Sequence, residues 1–428
     1  MFSLQGISYI RPLKRLGLRA SSPVIFRGSP LVKLYKTTNK MSTKSMKLPL
    51  FEEAMQKVYG PYPTDTLDAT SWQPPANPGA GGHRGRYLWT DAFGVINFIT
   101  LSREKDGTRS QEFYLELAKQ LADTVHSVLG RTRDGTSRLP GATDEEPLKG
   151  GLRIGKLEAG GPDGDGQYHH YLTLWMFALN RLALATKEVR WNDLAVQLAK
   201  AIHPHFMTKK GGQESMVWKI STDMRHALVN SKGNLDDVDG LVVYQLLQET
   251  AKVFDQNNTN TDNSSPPSRL DTEIEHYRRI MSTHPKSLSG DPLDLGMSLW
   301  VSHFDKEATW SHELSKQGLK IARERFLPAA QSPVSAGKKH SYRLAFREFG
   351  GCLGIKCYVD DPTQPLHTAA ETVLDAWEGR VLDAADEDLR PINLVMYAAA
   401  LIPGGKSMAN ISLSDSGVYT QANLYTPN

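Results

Sequence analysis

Two kinds of apolar segment alternate along this chain. One kind has apolar residues on a single side, as in residues 113–128, where Glu112 and Glu116 turn away from the apolar face. The other kind is apolar all round, so a helix formed by it must be buried on every side, whereas an amphipathic helix lies at the surface. The segments of the second kind are FGVINFITL from Phe93, YLTLWMFALNRLALA from Tyr171, LVVYQLL from Leu241, LGMSLWV from Leu295, LAFREFGGCLGI from Leu344 and INLVMYAAALI from Ile392.

This alternation predicts an all-α fold, an (α/α)6 toroid of six inner and six outer helices. A single bundle has no separate inner and outer populations of helices, whereas a ring of helical hairpins does. The inner helices are expected to start near residues 90, 166, 238, 294, 343 and 391. The outer helices are expected at 110–129, 191–206, 268–282, 309–327 and 367–382, with 50–59 closing the ring from the N-terminus.

No Pro/Ser-rich linker divides the helical pattern into separate cores. We therefore expect one toroid domain over residues 50–410, preceded by a basic extension at 1–49 and followed by a tail at 411–428.

The net charge of +3 comes from the extension. The first 50 residues contain ten Lys or Arg and no Asp or Glu, which leaves 40 basic against 47 acidic groups in the remainder. A mildly acidic body without a basic face predicts no nucleic-acid partner. Apolar and basic residues interleave over 1–22, which is typical of a mitochondrial transit peptide. The alternative is a cytosolic form that starts at Met41.

Membrane, metal and cofactor sites are not indicated by the sequence. No run reaches the 18 or so apolar residues of a membrane span. Cys352 and Cys357 are expected to be reduced thiols in a buried helix. His203 and His205 flank Pro204 without a further ligand that would complete a zinc site. The glycine-rich segment 160–166 lacks the Lys-Ser/Thr of a phosphate-binding loop, so we expect no metal and no cofactor.

Candidate chemistry lies where the inner helices begin. In a toroid the six inner N-termini meet at one end of the ring, so residues far apart in sequence line one pocket. Asp is an ordinary N-cap residue, which explains each carboxylate singly. Caps do not explain the accompanying rings, whereas sugar sites combine aromatic side chains with carboxylates. The rings at these helix starts are Trp89, Tyr168, His169, His170 and Tyr342.

Through the segments YLWTDAFG, GGPDGDGQYHHYLTLW and DDVDG, together with the helix alternation, the chain resembles the six-hairpin glycosidase-like superfamily. The resemblance covers roughly residues 50–405. It implies a carbohydrate-active enzyme whose site lies at the loops leading into the inner helices.

A hydrolytic version of this enzyme needs two carboxyl groups, one acid and one base or nucleophile. Asp91 is the first candidate, because WTDAFG places it among aromatic residues at the start of a buried helix. Glu348 is the second, since burial one turn into an apolar helix would raise its pKa. The alternative to a catalytic role for Glu348 is an ion pair with a neighbouring arginine, Arg343 or Arg347. Asp165 and Asp239 are further candidates.

The expected substrate-binding residues are Trp89, Tyr168, His169, His170, Arg225, Asp294, Tyr342 and Arg347. The histidine pair favours a sugar epimerase as the alternative to a glycoside hydrolase, because histidine is a common general base. A lyase, a dehydratase and a catalytically silent sugar-binding protein stay open. The expected partner is a small-molecule or oligosaccharide substrate, and the oligomeric state is not indicated.

Overall fold

The computed structural model describes residues 43–63, 69–75, 86–105, 108–161, 164–257, 270–283, 288–331, 344–359, 361–382 and 389–403. These residues form twelve helices and four short strands, so the expected all-α class is confirmed. Four expectations concern parts of the chain outside these ranges. They are the transit peptide, the side chain of Tyr342, the pairing of Arg343 with Glu348 and the tail at 411–428.

Six helices have most of their residues buried. Their sequences carry no polar stripe over most of their length, which is why they are covered on every side there. In the third of them, several residues from Gln248 onward are partly exposed. Each of the six helices begins within three residues of the predicted start. They are α2 (Leu88–Glu104), α4 (His169–Thr186), α6 (Asp236–Asn257), α8 (Pro292–Ser302), α10 (Ala345–Tyr358) and α12 (Arg390–Leu401).

The other six helices bury one face only, as their amphipathic patterns predict. The helix expected at 50–59 is longer and begins inside the basic extension, at Thr43. The six are α1 (Thr43–Tyr59), α3 (Thr108–Leu129), α5 (Val189–Phe206), α7 (Asp271–Thr283), α9 (Thr309–Gln331) and α11 (Pro365–Val381).

The buried helices contact one another in a closed circuit, α2 to α4, α6, α8, α10, α12 and back to α2. Each of them also contacts the surface helix that follows it in sequence, and α12 contacts α1. The chain thus builds five sequential hairpins, and its two ends supply the sixth pair. This circuit is the one that an (α/α)6 toroid requires.

One contact in the circuit is made between main chains. A Cβ atom at Gly296 of α8 would overlap the carbonyl oxygen of Gly350 of α10, and a Cβ at Gly354 would overlap that of Gly296. Only glycine permits this approach. The helices α8 and α10 are therefore packed main chain against main chain at this point.

The strands form two small antiparallel pairs before α6. Strand β1 (Gln167–Tyr168) pairs with β4 (Lys219–Ile220), with Gln167 opposite Ile220. Strand β2 (Met207–Lys210) pairs with β3 (Gln213–Met216). Because β1 runs directly into α4, its pairing with β4 fixes where that inner helix begins.

Cys352 and Cys357 are buried free thiols, as expected. Within the described ranges, no helix has both the length and the hydropathy needed to cross a bilayer.

Candidate functional site

A cavity opens where the six inner helices begin. Its volume is about 60 Å³, and every inner helix or the residue just before it contributes to the wall. Of the described residues, five with aromatic side chains line it, namely Tyr87, Trp89, Tyr171, Trp300 and Phe346. The aliphatic lining is Leu174, Leu235, Val243, Leu293, Met297, Leu389 and Ile392, and the polar lining is Lys156, His170, Thr173, Asp239 and Asp294.

Each inner helix start has two sides. We call the side that lines the cavity the cavity face, and the side that packs on the surface helices the outer face. Of the residues predicted for the site, the structure places Trp89, His170, Asp239 and Asp294 together on the cavity face.

Asp294 lies in the first turn of α8. This helix starts sharply, because Asp291 accepts a hydrogen bond from the amide of Leu293 at 2.9 Å and Pro292 occupies the first helical position. Burial raises the pKa of Asp294 to about 7, against the lowering effect of a hydrogen bond donated by the Ser289 hydroxyl. A carboxyl with this pKa exchanges a proton near neutral pH.

Asp239 lies in the first turn of α6, at the end of the DDVD sequence. The two aspartates before it hold the loop that enters the helix. Asp236 accepts from the amide of Gly233 at 2.8 Å, and Asp237 pairs with Lys232 at 2.8 Å. Asp239 is the one of the three that lines the cavity, and it is 7% exposed.

The adjacent histidines point to opposite faces. His170 lines the cavity beside Tyr171, with ring centroids 4.8 Å apart, and burial lowers its pKa to about 3. The imidazole is therefore neutral at physiological pH. His169 lies on the outer face, where its Nε2 is 2.8 Å from the hydroxyl of Tyr277 on α7. Burial lowers the pKa of His169 as well.

Lys156 is the cation among the described residues that line the cavity, and sequence reasoning missed it. It lies in the loop that leads to β1, with its ammonium 5.5 Å from the ring centroid of Tyr87. The lysine is far from any predicted helix start, so only its closeness to the glycine-rich segment could have suggested it. Thr173, Met297 and Trp300 were missed because they lie deeper in their helices.

Asp91, the first catalytic candidate, lies on the outer face. Its carboxylate accepts hydrogen bonds from Arg86 Nε at 2.7 Å and from the Tyr59 hydroxyl of α1 at 3.0 Å. The side chain is fully buried, and burial raises its pKa while Arg86 opposes the rise. Asp91 and Arg86 thus form a buried ion pair, and the hydrogen bond from Tyr59 joins α1 to α2.

Asp165 also bonds with protein groups outside the cavity lining. It pairs with Arg133 at 2.9 Å and Arg153 at 3.3 Å, and its other oxygen accepts from the amides of Gly155 and Lys156. The carboxylate thereby folds the loop before β1 and positions Lys156.

Glu348 lies on the outer face of α10. It accepts a hydrogen bond of 2.8 Å from the indole of Trp377 on α11. Of the two arginines expected as its alternative partner, Arg347 does not pair with it, and Arg343 lies outside the described residues. Arg347 instead pairs with Asp291, and its guanidinium lies 5.6 Å from the ring centroid of Phe346.

The remaining candidates lie outside the cavity lining. The Tyr168 hydroxyl donates to the carbonyl of Gly164 at 3.0 Å. Arg225 is exposed and lies 3.8 Å from the carboxylate of Asp223. Among the residues that the structure describes, no group of three or more His, Cys, Asp or Glu is arranged to hold a metal ion.

No protein-family model and no curated protein matches the sequence. Among solved structures, the chain is similar to one titled the crystal structure of a sugar epimerase from a ruminal bacterium. The likeness covers 77% of this chain and 86% of that chain, with 13% identity and a TM-score of 0.39. It is a weak likeness and carries no conclusion about activity.

Proposed function

We propose that the protein is a carbohydrate-active enzyme of the six-hairpin glycosidase-like superfamily, and that it hydrolyses a glycosidic bond in this cavity. The observation that carries the proposal is Asp294, a carboxyl with a pKa of about 7 that faces a cavity with aromatic walls. Asp239 supplies the second carboxyl group that glycoside hydrolysis requires. Trp89 and Tyr171 offer rings on which the apolar face of a sugar stacks.

In the proposed reaction, protonated Asp294 gives its proton to the glycosidic oxygen as the bond from that oxygen to the anomeric carbon breaks. The carboxylate of Asp239 either takes a proton from the water that attacks the anomeric carbon or attacks this carbon itself, with water releasing the sugar in a second step. The anomeric configuration of the product distinguishes the two routes.

Sugar epimerisation is the second candidate, and His170 on the cavity face favours it. A base that removes a proton from carbon works best when its pKa is near the working pH. Burial holds the pKa of His170 at about 3, which makes it a weak base. Hydrolysis is therefore the better supported reaction, with neutral His170 as a hydrogen-bonding partner for a sugar hydroxyl.

The test is a panel of nitrophenyl glycosides assayed with the full-length protein. We expect hydrolysis of at least one, with kcat/KM falling as the pH rises through about 7 and Asp294 loses its proton. Asp294→Asn and Asp239→Asn should each lower kcat/KM by about 10²- to 10⁴-fold, the usual contribution of a positioned acid or base. The matched control is Asp193→Asn, at an exposed position on α5, which should leave kcat/KM unchanged.

Two results would overturn the hydrolase proposal. One is an absence of hydrolysis across the panel, and the other is hydrolysis that survives both pocket substitutions. Interconversion of two free sugars that is lost in His170→Gln and kept in Asp294→Asn would establish the second candidate instead.

A further inference from the structure

The cavity has a polar rim and an apolar floor. Asp239 and Asp294 lie in the first turns of their helices, at the mouth. On the same face one turn deeper, Asp239 is followed by Val243 and Asp294 by Met297, because residues three or four apart share a helix face. His170 on α4 is likewise followed by Leu174, and the hydroxyl of Thr173 beside it is the polar exception among the deeper described lining residues.

The wall is also asymmetric around the ring. The carboxyl groups and the imidazole lie on the neighbouring helices α4, α6 and α8. Of the described residues that line the cavity from α10, α12 and the turn before α12, all are apolar, namely Phe346, Leu389 and Ile392. Among the described lining residues, a ligand therefore meets carboxyl and imidazole groups on the side of α4, α6 and α8, and apolar side chains on the side of α10 and α12.

A chain of sugars does not suit this wall. Sugar hydroxyls placed against Val243, Met297 and Ile392 would lose their hydrogen bonds to water without gaining others, which is unfavourable. An alkyl or aryl group in the same place gains from leaving water. The two halves of the cavity thus favour a ligand with one polar and one apolar end.

Building on the proposed function, we propose that the substrate is a small glycoside with a hydrophobic aglycone. The sugar binds at the rim among His170, Asp239 and Asp294, and the alkyl or aryl aglycone occupies the floor beside Val243 and Met297. The glycosidic oxygen that joins the two parts then lies near the carboxyl groups of the rim.

The test uses alkyl thioglycosides, whose sulfur linkage resists hydrolysis, bound to the full-length wild-type protein and measured by calorimetry. The sugar is the one preferred in the nitrophenyl panel, and the alkyl chain runs from methyl to butyl, since the cavity is small. We expect each added methylene to tighten Kd by about fourfold, the gain from burying one CH₂. The free sugar and the free alkanol should each bind more weakly than the thioglycoside.

A matched pair of substitutions on α6 tests whether the gain in affinity per methylene arises at the cavity floor. Val243→Thr places a hydroxyl in the cavity floor at nearly constant volume, so it should reduce the gain per methylene and leave the Kd of the free sugar unchanged. Val253→Thr makes the same change at a position on α6 that is 40% exposed, and should alter neither quantity. Thermal melting of both variants verifies that each is folded.

The outcomes separate this inference from the proposed function. If the free sugar binds as tightly as every thioglycoside, the hydrophobic aglycone is excluded while the carbohydrate function stands. If the alkanol binds as tightly as the thioglycoside and the free sugar does not bind, the carbohydrate function is overturned and the apolar floor remains. A gain per methylene that persists in Val243→Thr would exclude this floor as the aglycone site.

Discussion

The cavity face and the outer face of the inner helix starts use the same residue types in different ways. On the outer face, Asp91 is held by Arg86 and Tyr59, and Glu348 is held by Trp377. On the cavity face, Asp294 meets aromatic and aliphatic walls around an open space. Burial raises the pKa of both aspartates, but only Asp91 has a guanidinium in direct contact to counter the rise. Burial alone therefore does not single out a candidate catalytic carboxyl, whereas burial against a cavity is our reason for proposing Asp294.

The largest expected effect on stability comes from breaking an outer-face ion pair. Asp91→Asn leaves Arg86 buried without its counter-charge, and the free energy of unfolding should fall by about 3–5 kcal/mol. Urea denaturation measures the change. The activity of the folded fraction should remain, because Asp91 does not line the cavity. A variant that keeps its stability and loses its activity would return Asp91 to the active site.

On the cavity face, Asp294→Asn should change the free energy of unfolding in the opposite direction. The pKa of Asp294 is raised from its ordinary value of 3.8 to about 7, so the folded state favours the protonated form. The wild-type protein therefore loses stability as the pH rises from about 4 to about 7, by up to about 4 kcal/mol. Asp294→Asn removes this loss and should be the more stable protein at pH 8.

Urea denaturation of the wild type and Asp294→Asn from pH 4 to pH 8 measures this difference. The two unfolding free energies should lie closest at the acid end and separate as the pH increases. Parallel curves over this range would mean that Asp294 ionises as easily in the folded protein as in the unfolded chain.

A smaller effect is expected for Glu348→Gln. Glutamine keeps an acceptor for the Trp377 indole but removes the charge that strengthens the bond. The free energy of unfolding should therefore fall by about 1 kcal/mol, with kcat/KM unchanged. Glu112→Gln, at an exposed position on α3, is the control for removing an acidic charge. A fall in kcat/KM confined to Glu348→Gln would contradict its place on the outer face.

The smallest effect on stability is expected for a substitution at the surface. Arg225 is exposed and outside the cavity lining, so Arg225→Ala should change the unfolding free energy by less than about 0.5 kcal/mol and leave KM unchanged. Thermal melting and steady-state kinetics measure both. A rise in KM for an acidic sugar would show that Arg225 reaches the substrate.

The inner helices could be predicted from sequence because their signal is local. A run without a polar stripe identifies a buried helix, and the predicted start near 238 lies two residues from Asp236, where α6 begins. Because these helices have no polar stripe, however, the sequence does not show which side of each helix faces the cavity. Nothing in the sequence says whether His169 or His170 faces the cavity, or that Asp91 turns toward α1.

The rest of the site depends on contacts between distant parts of the chain. Asp91 and Glu348 each accept a hydrogen bond from a surface helix, from Tyr59 and Trp377, and these two residues give no sign in the sequence of where they will pack. Lys156 reaches the cavity because the loop that carries it is folded around Asp165. These pairings arise from contacts between separate elements, which no local pattern encodes.

The contact of Gly296 with Gly350 has a consequence for how this cavity can change. It joins the main chains of α8 and α10 close to Asp294 and Phe346, one on each helix. Main-chain atoms have no rotamers, so the spacing of these two walls does not vary when neighbouring side chains are exchanged. Selectivity can therefore be altered, by evolution or by design, while the frame that carries the wall residues keeps its dimensions.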